Sequence, residues 1–102
     1  MKFLKKLFKP KPKYKKGKPA KIEIKLDRRG NQIYYKSHDT GYEEWREYDD
    51  HNNCIHFKNN EGLEYWNDYD EDGNVIHHKD ESGYEYYDEY DEHHNLISHK
   101  RV

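Results

Sequence analysis

Chemistry in this chain would have to come from its eight histidines, its Asp and Glu side chains or its single cysteine. Laid against itself at 21 residues, the chain places His56 with His77 and His78 with His99. Neutral imidazoles are good metal ligands, but a site needs three or four ligands converging on one ion with a supporting shell. The third members of these sets are Ser98 and Phe57, while His51, His93 and His94 fall on turns. No metal and no cofactor are expected. Protonation near the unperturbed histidine pKa of about 6.5 is expected to loosen the structure at mild acidity. A catalyst is not expected either. Ser37, Ser82 and Ser98 read as loop or strand residues, Cys54 takes the place of Val75 in the next copy, and there is no glycine-rich phosphate loop.

A stronger pattern combines carboxylates with rings. Glu43 and Glu47 flank Trp45, Glu64 and Asp68 flank Trp66, and Glu85 and Glu89 flank Tyr87. On neighbouring strands about 4.8 Å apart these would form rows of negative charge beside exposed aromatics. Such rows can imitate a nucleic-acid strand and occupy a basic groove, so these nine residues are the candidate partner-binding set. The competing reading is a solubilising surface that also protects the edges of a tyrosine-rich sheet.

The elements that must hold these residues are set by a tandem repeat. Gly41, Gly62 and Gly83 are 21 residues apart, as are Tyr48, Tyr69 and Tyr90, Asp49, Asp70 and Asp91, and Asn53, Asn74 and Asn95. Residues 62–69 alternate aromatic with polar, residues 75–79 form a second short run, and Asp70-Glu71-Asp72-Gly73-Asn74 carries turn chemistry between them. One β-hairpin per repeat follows, with bends at 49–53, 70–74 and 91–95. A degenerate first copy runs Leu26 to Lys36, one residue out of phase because the loop from Lys36 to Gly41 is longer. The residue needing positive φ is Gly30, Asn52, Gly73 and His94 in turn. A type I turn with a glycine bulge would place Tyr69 opposite Val75, Asn67 opposite His77 and Tyr65 opposite Lys79, with Trp66, Ile76 and His78 on the other face. The fold class is all-β: an antiparallel meander of about four hairpins forming a twisted or curled Tyr/Trp-rich sheet. Its repeats span about 20–40, 41–61, 62–82 and 83–102.

Tyr69, Asp70, Gly73 and Asn74, followed by Val75, form a Tyr-Asp-x-x-Gly-Asn motif that resembles the YD repeats of Rhs-type proteins, and the resemblance extends over residues 20–102. It implies a spiralling sheet of β-hairpins, which in large members builds a shell around a toxin. Four copies are too few to enclose anything. Short bacterial proteins with similar repeats, antitoxin-like ones included, imply binding instead.

Composition agrees with a small ring-built domain. Charged residues are 39% and hydrophobic residues 31%, a balance that favours disorder unless the eleven tyrosines and two tryptophans bury area at strand spacing. A lone cysteine implies no disulfide scaffold, and no run approaches the roughly 18 to 20 apolar residues of a membrane span. The opening residues lack the apolar core of a secretory signal, so the expected location is cytoplasmic. The net charge of −2 hides a strong asymmetry. Up to Lys36 the chain has fourteen Lys and Arg against Glu23 and Asp27, whereas residues 41–96 have eighteen Asp and Glu against Arg46, Lys58 and Lys79. Residues 1–19 read as a basic Lys/Pro-rich tail with a short amphipathic start and an extended linker. There Lys5, Lys6, Lys9, Lys11, Lys13, Lys15, Lys16 and Lys18 are candidates for contact with nucleic acid or a membrane surface. The expected function is a non-catalytic protein-binding module, an immunity- or antitoxin-like protein or a phage anti-defence inhibitor. Its partner would be a protein with a basic surface, such as a nuclease, a toxin or a nucleic-acid-handling defence enzyme. The alternative is a nucleic-acid accessory protein that grips phosphates through its tail. Self-association through edge strands is also open.

Overall fold

The computed structural model describes residues 21–102. They form β1 (Ile22–Leu26), β2 (Gln32–Ser37), β3 (Glu43–Tyr48), β4 (Cys54–Asn59), β5 (Glu64–Tyr69), β6 (Val75–Asp80), β7 (Glu85–Tyr90) and β8 (Leu96–Arg101). Every strand pairs antiparallel with its sequence neighbours, giving one open sheet in the order β1 to β8. This is the expected meander of four hairpins.

The bends sit where their residues place them. In the third hairpin the Gly73 N–H bonds the Asp70 carbonyl at 3.1 Å and the Asp70 N–H bonds the Asn74 carbonyl at 3.0 Å. The Asp70 side chain locks this turn. Its Oδ1 accepts the N–H groups of Asp72 and Asn74, both at 2.9 Å, and its Oδ2 accepts the Asn74 side-chain amide at 3.1 Å. Asp27, Asp49 and Asp91 do the same in their own turns. The left-handed position has φ of +86° at Gly73, and the two non-glycine members, Asn52 and His94, reach +65° and +68°.

Between hairpins the chain uses the same device, which the 21-residue spacing does not reveal. Asn59 Oδ1 accepts the N–H groups of Glu61 and Leu63 at 2.9 and 3.0 Å, and Asp80 Oδ1 accepts those of Ser82 and Tyr84 at 2.9 and 3.2 Å. Gly62 and Gly83 supply the positive φ. Each repeat is therefore two strand–turn units. Only the first inter-hairpin loop differs: Ser37 bonds across to Tyr42, whereas Asp80 bonds to Tyr84, so it is one residue longer.

The expected strand register is corrected. Tyr69 does face Val75, but a second irregularity next to it pairs Asp68 with His77, Asn67 with His78, Trp66 with Lys79 and Tyr65 with Asp80. The other hairpins carry the same shift at Lys25/Leu26, Glu47/Tyr48 and Glu89/Tyr90. Two residues, Val75 and Ile76, oppose one, and an offset of one residue exchanges the faces of everything beyond it. His77 thus joins Trp66, and His78 moves to the face of Tyr65 and Asn67.

That second face is the better buried. Phe57 is 6% exposed and is the one buried apolar side chain among the described residues, with Glu44 and Asn59 buried near it. From Phe57 a ladder of rings crosses the sheet: Phe57 to Tyr65 at 5.2 Å, Tyr65 to His78 at 5.8 Å, His78 to Tyr86 at 5.2 Å and Tyr86 to His99 at 5.1 Å. Such contacts contribute about 0.5–1.5 kcal/mol per aromatic pair beyond area burial. The buried Glu44 is compensated by Arg46 at 3.0 Å, whose guanidinium also lies over Phe57, and by the Tyr42 hydroxyl at 2.9 Å. Adjacent repeats are tied by tyrosine. The Tyr48 and Tyr69 hydroxyls donate to the carbonyls of Gln32 and Cys54, the first residues of β2 and β4.

Candidate functional site

The nine carboxylate and ring residues singled out in the sequence share one face. Alternation along β3, β5 and β7 turns Glu43, Trp45 and Glu47, then Glu64, Trp66 and Asp68, then Glu85, Tyr87 and Glu89 to the side opposite the buried ladder. The rings remain open: Trp45 is 39% exposed, Trp66 40% and Tyr87 48%.

The carboxylates divide into two rows with different partners. Glu43, Glu64 and Glu85 form an inner row held by the preceding strand. Glu43 accepts the Tyr34 hydroxyl at 2.6 Å, Glu64 meets His56 Nε2 at 2.8 Å and Glu85 meets His77 Nε2 at 2.7 Å. Tyr34, His56 and His77 are equivalent positions of successive repeats, so one column of side chains receives the whole row. Glu47, Asp68 and Glu89 form an outer row. The side chains of Glu47 and Asp68 are 70% and 69% exposed, although each also reaches a histidine Nδ1, at 3.3 and 2.9 Å.

His56 and His77 are thus clamped between two carboxylates and stacked on a ring. His56 lies 5.1 Å from Trp66 at 7°, and His77 lies 4.2 Å from Tyr87 at 5°. Only an imidazolium can donate from both nitrogens. In His77 the hydrogen bonds to Glu85 and then Asp68 raise the pKa above the ordinary histidine value, with burial opposing them. Glu85 is lowered, chiefly by His77. The Tyr34 phenol is pushed up to about 12, chiefly by its bond to Glu43. Protonation of His77 therefore tightens the β6–β7 junction, reversing the expectation that mild acid would loosen it.

Sequence reasoning did not assign these clamps. The equivalence of His56 and His77 was visible, but the register shift places them on the ring face and beside acids from two strands. The rows are not uninterrupted negative charge, because Lys36, Lys58 and Lys79 stand across from Glu43, Glu64 and Glu85. Among the described residues no three or more His, Cys, Asp and Glu side chains are grouped so as to hold a metal ion. Cys54 is partly buried, which raises its thiol pKa, and its Sγ lies 3.5 Å from the His56 carbonyl. The tail lysines from Lys5 to Lys18, and the whole tail, lie outside the described residues.

The turn geometry and the repeat register meet in one comparison. The family model described as RHS Repeat matches from Tyr69, which opens the Tyr-Asp turn, to Arg101, the last residue of β8. Over residues 69–101 the chain is similar to an RHS repeat. The hydrogen-bonded Asp turn of the matched stretch, at Asp70 and Asp91, recurs at Asp27 and Asp49, so the local geometry continues through the earlier hairpins. No curated protein matches the chain.

Proposed function

We propose that the sheet is a non-catalytic protein-binding module that presents Trp45, Trp66 and Tyr87 with their flanking acids to a basic partner surface. In this reading it acts as an antagonist, immunity- or antitoxin-like or a phage anti-defence inhibitor, and its target is a nuclease, a toxin or another nucleic-acid-handling enzyme. The observation carrying the proposal is the line of three rings, each about two-fifths to one-half exposed, beside the open carboxylates of Glu47 and Asp68. Large rings provide anchoring area at an interface, and acidic groups beside them steer a basic partner. Trp66 and Tyr87 are already held by stacked histidines, which lowers the cost of ordering them on binding.

Affinity capture from the native lysate, followed by an activity assay on the captured enzyme, tests this. Wild-type protein should inhibit that enzyme, and Trp66→Ala with Asp68→Lys should weaken inhibition by about 30-fold or more, as removal of a central anchor does. Asp68 is the more exposed of the two acids beside Trp66, and replacing it removes one side of the His77 clamp as replacing Glu64 would remove one side of the His56 clamp. Equal inhibition by the variant, or capture of nucleic acid in place of a protein, would overturn the proposal.

A further inference from the structure

β3, β5 and β7 each expose two residues, the third and the fifth: Trp45 and Glu47, Trp66 and Asp68, Tyr87 and Glu89. Their placement across the ring face follows one rule. Glu47 stands across from His56 and His56 from Trp66, so Asp68 lies two strands over and two residues further on. Asp68 stands across from His77 and His77 from Tyr87, which puts Glu89 at the same step from Asp68. The rings advance by that step too, because Trp45 is joined through Lys58 to Glu64, and Trp66 through Lys79 to Glu85. Acids and rings therefore form two parallel diagonals.

Two strand spacings are about 9.6 Å and two residues along a strand about 6.8 Å, so successive members of each diagonal are about 12 Å apart. Seven residues of α-helix rise about 10.5 Å and bring a side chain back to within about 20° of its starting direction. The flexible stem of a lysine or arginine covers the remaining difference of about 1.5 Å. Backbone pairing decides the kind of segment. β3, β5 and β7 have neighbours on both sides, so a chain lying over this face finds no strand edge for its N–H and C=O groups. An α-helix satisfies them internally. Charge decides its side chains. Lys58 and Lys79 are matched by Glu64 and Glu85 across from them, whereas Glu47 and Asp68 meet their histidines through one oxygen each, Oε1 and Oδ2, and stay largely exposed.

We infer that the occupant of the ring face is an amphipathic α-helix of a partner protein, carrying arginine or lysine at seven-residue intervals beside an apolar stripe. The cations meet Glu47, Asp68 and Glu89, and the stripe covers Trp45, Trp66 and Tyr87. A helix of about fifteen residues reaches all three acids. The inference rests on the reading of this face as a protein-binding surface and adds which element of the partner it takes.

The test is NMR titration of the intact 102-residue protein with two synthetic alanine- and leucine-rich peptides of about 24 residues, long enough to be helical in water. Both have the same composition and three arginines, placed at seven-residue intervals in one and consecutively in the other. Saturable binding of the spaced peptide, with shifts of the Trp45 and Trp66 indole N–H signals, is expected. Its affinity should exceed that of the clustered peptide about three- to tenfold, the worth of two exposed ion pairs. Asp68→Lys should weaken the spaced peptide by a similar factor, and a peptide with glutamate in place of the middle arginine should recover that loss. Equal affinity for the two peptides, binding of neither, indole signals that stay in place, or affinity unmoved by Asp68→Lys would each overturn the inference. Loss of enzyme inhibition in the Trp66→Ala, Asp68→Lys protein would then still uphold the reading on which it rests.

Discussion

The Tyr69 hydroxyl donates to the Cys54 carbonyl at 2.9 Å, joining the last residue of β5 to the first of β4. Tyr48 makes the equivalent bond to Gln32, and among the described residues Tyr90 makes none. Tyr69→Phe should therefore lower stability by about 0.5–1.5 kcal/mol, the usual net worth of a hydrogen bond. Tyr90→Phe should leave it nearly unchanged. Urea unfolding of the two variants side by side checks this, and equal losses would show that the bond contributes nothing.

His94 occupies the left-handed turn position at φ +68°, where its counterpart in the preceding repeat is Gly73. A side chain there brings Cβ close to the following carbonyl, at a cost of about 1–2 kcal/mol that glycine avoids, partly offset by the entropy glycine loses on folding. His94→Gly should raise the thermal midpoint of the β7–β8 hairpin. Asn52→Gly should change little, because asparagine tolerates this region better. A lower midpoint for His94→Gly would contradict the strain argument.

Stability should pass through a maximum in mild acid. The folded pKa of His77 is raised, so its contribution is complete below the ordinary histidine value of about 6.5 and is lost as pH climbs through the folded value. Glu85, Asp27, Asp49, Asp70, Asp80 and Asp91 are lowered. In Asp70 the main cause is the backbone N–H of Asn74. Their contributions are complete above the ordinary carboxylate values of about 4 and are lost as pH falls through the folded ones. The window of greatest stability thus runs from about pH 4.5 to 6.5. Urea midpoints should be higher at pH 5.5 than at pH 8, and His77→Gln should shrink that difference. An unchanged difference in the variant would remove His77 as its source.

The tandem duplication, the hairpin bends and the grouping of the nine ring and acid residues on one face were readable from spacing alone. Tyr69, Asp70, Gly73 and Asn74 carry strong local signals, because turn geometry depends on few neighbours. The second bulge was not readable. Val75 and Ile76 are both good strand residues, and nothing local marks them as standing together opposite Tyr69. That single offset hid the clamping of His77 between Asp68 and Glu85, since both acids arrive from other strands. The loops at Asn59 and Asp80 escaped for another reason. They use the same turn chemistry at half the visible period, with Leu63 and Tyr84 where Asn74 stands.

Because six of the seven bends described are closed by an Asx residue of their own, and the one at Ser37 by a serine, length in this molecule is adjustable in discrete steps, and the steps are not equivalent. Duplicating 21 residues adds two bends and returns the chain to its former heading, with the rings and acids still aligned. Losing a single strand–turn unit would reverse the heading of everything after it and set glutamate against glutamate. Growth and shrinkage of such a protein are therefore restricted to an even number of bends, a parity rule written in hydrogen bonds that an insertion series could read out directly.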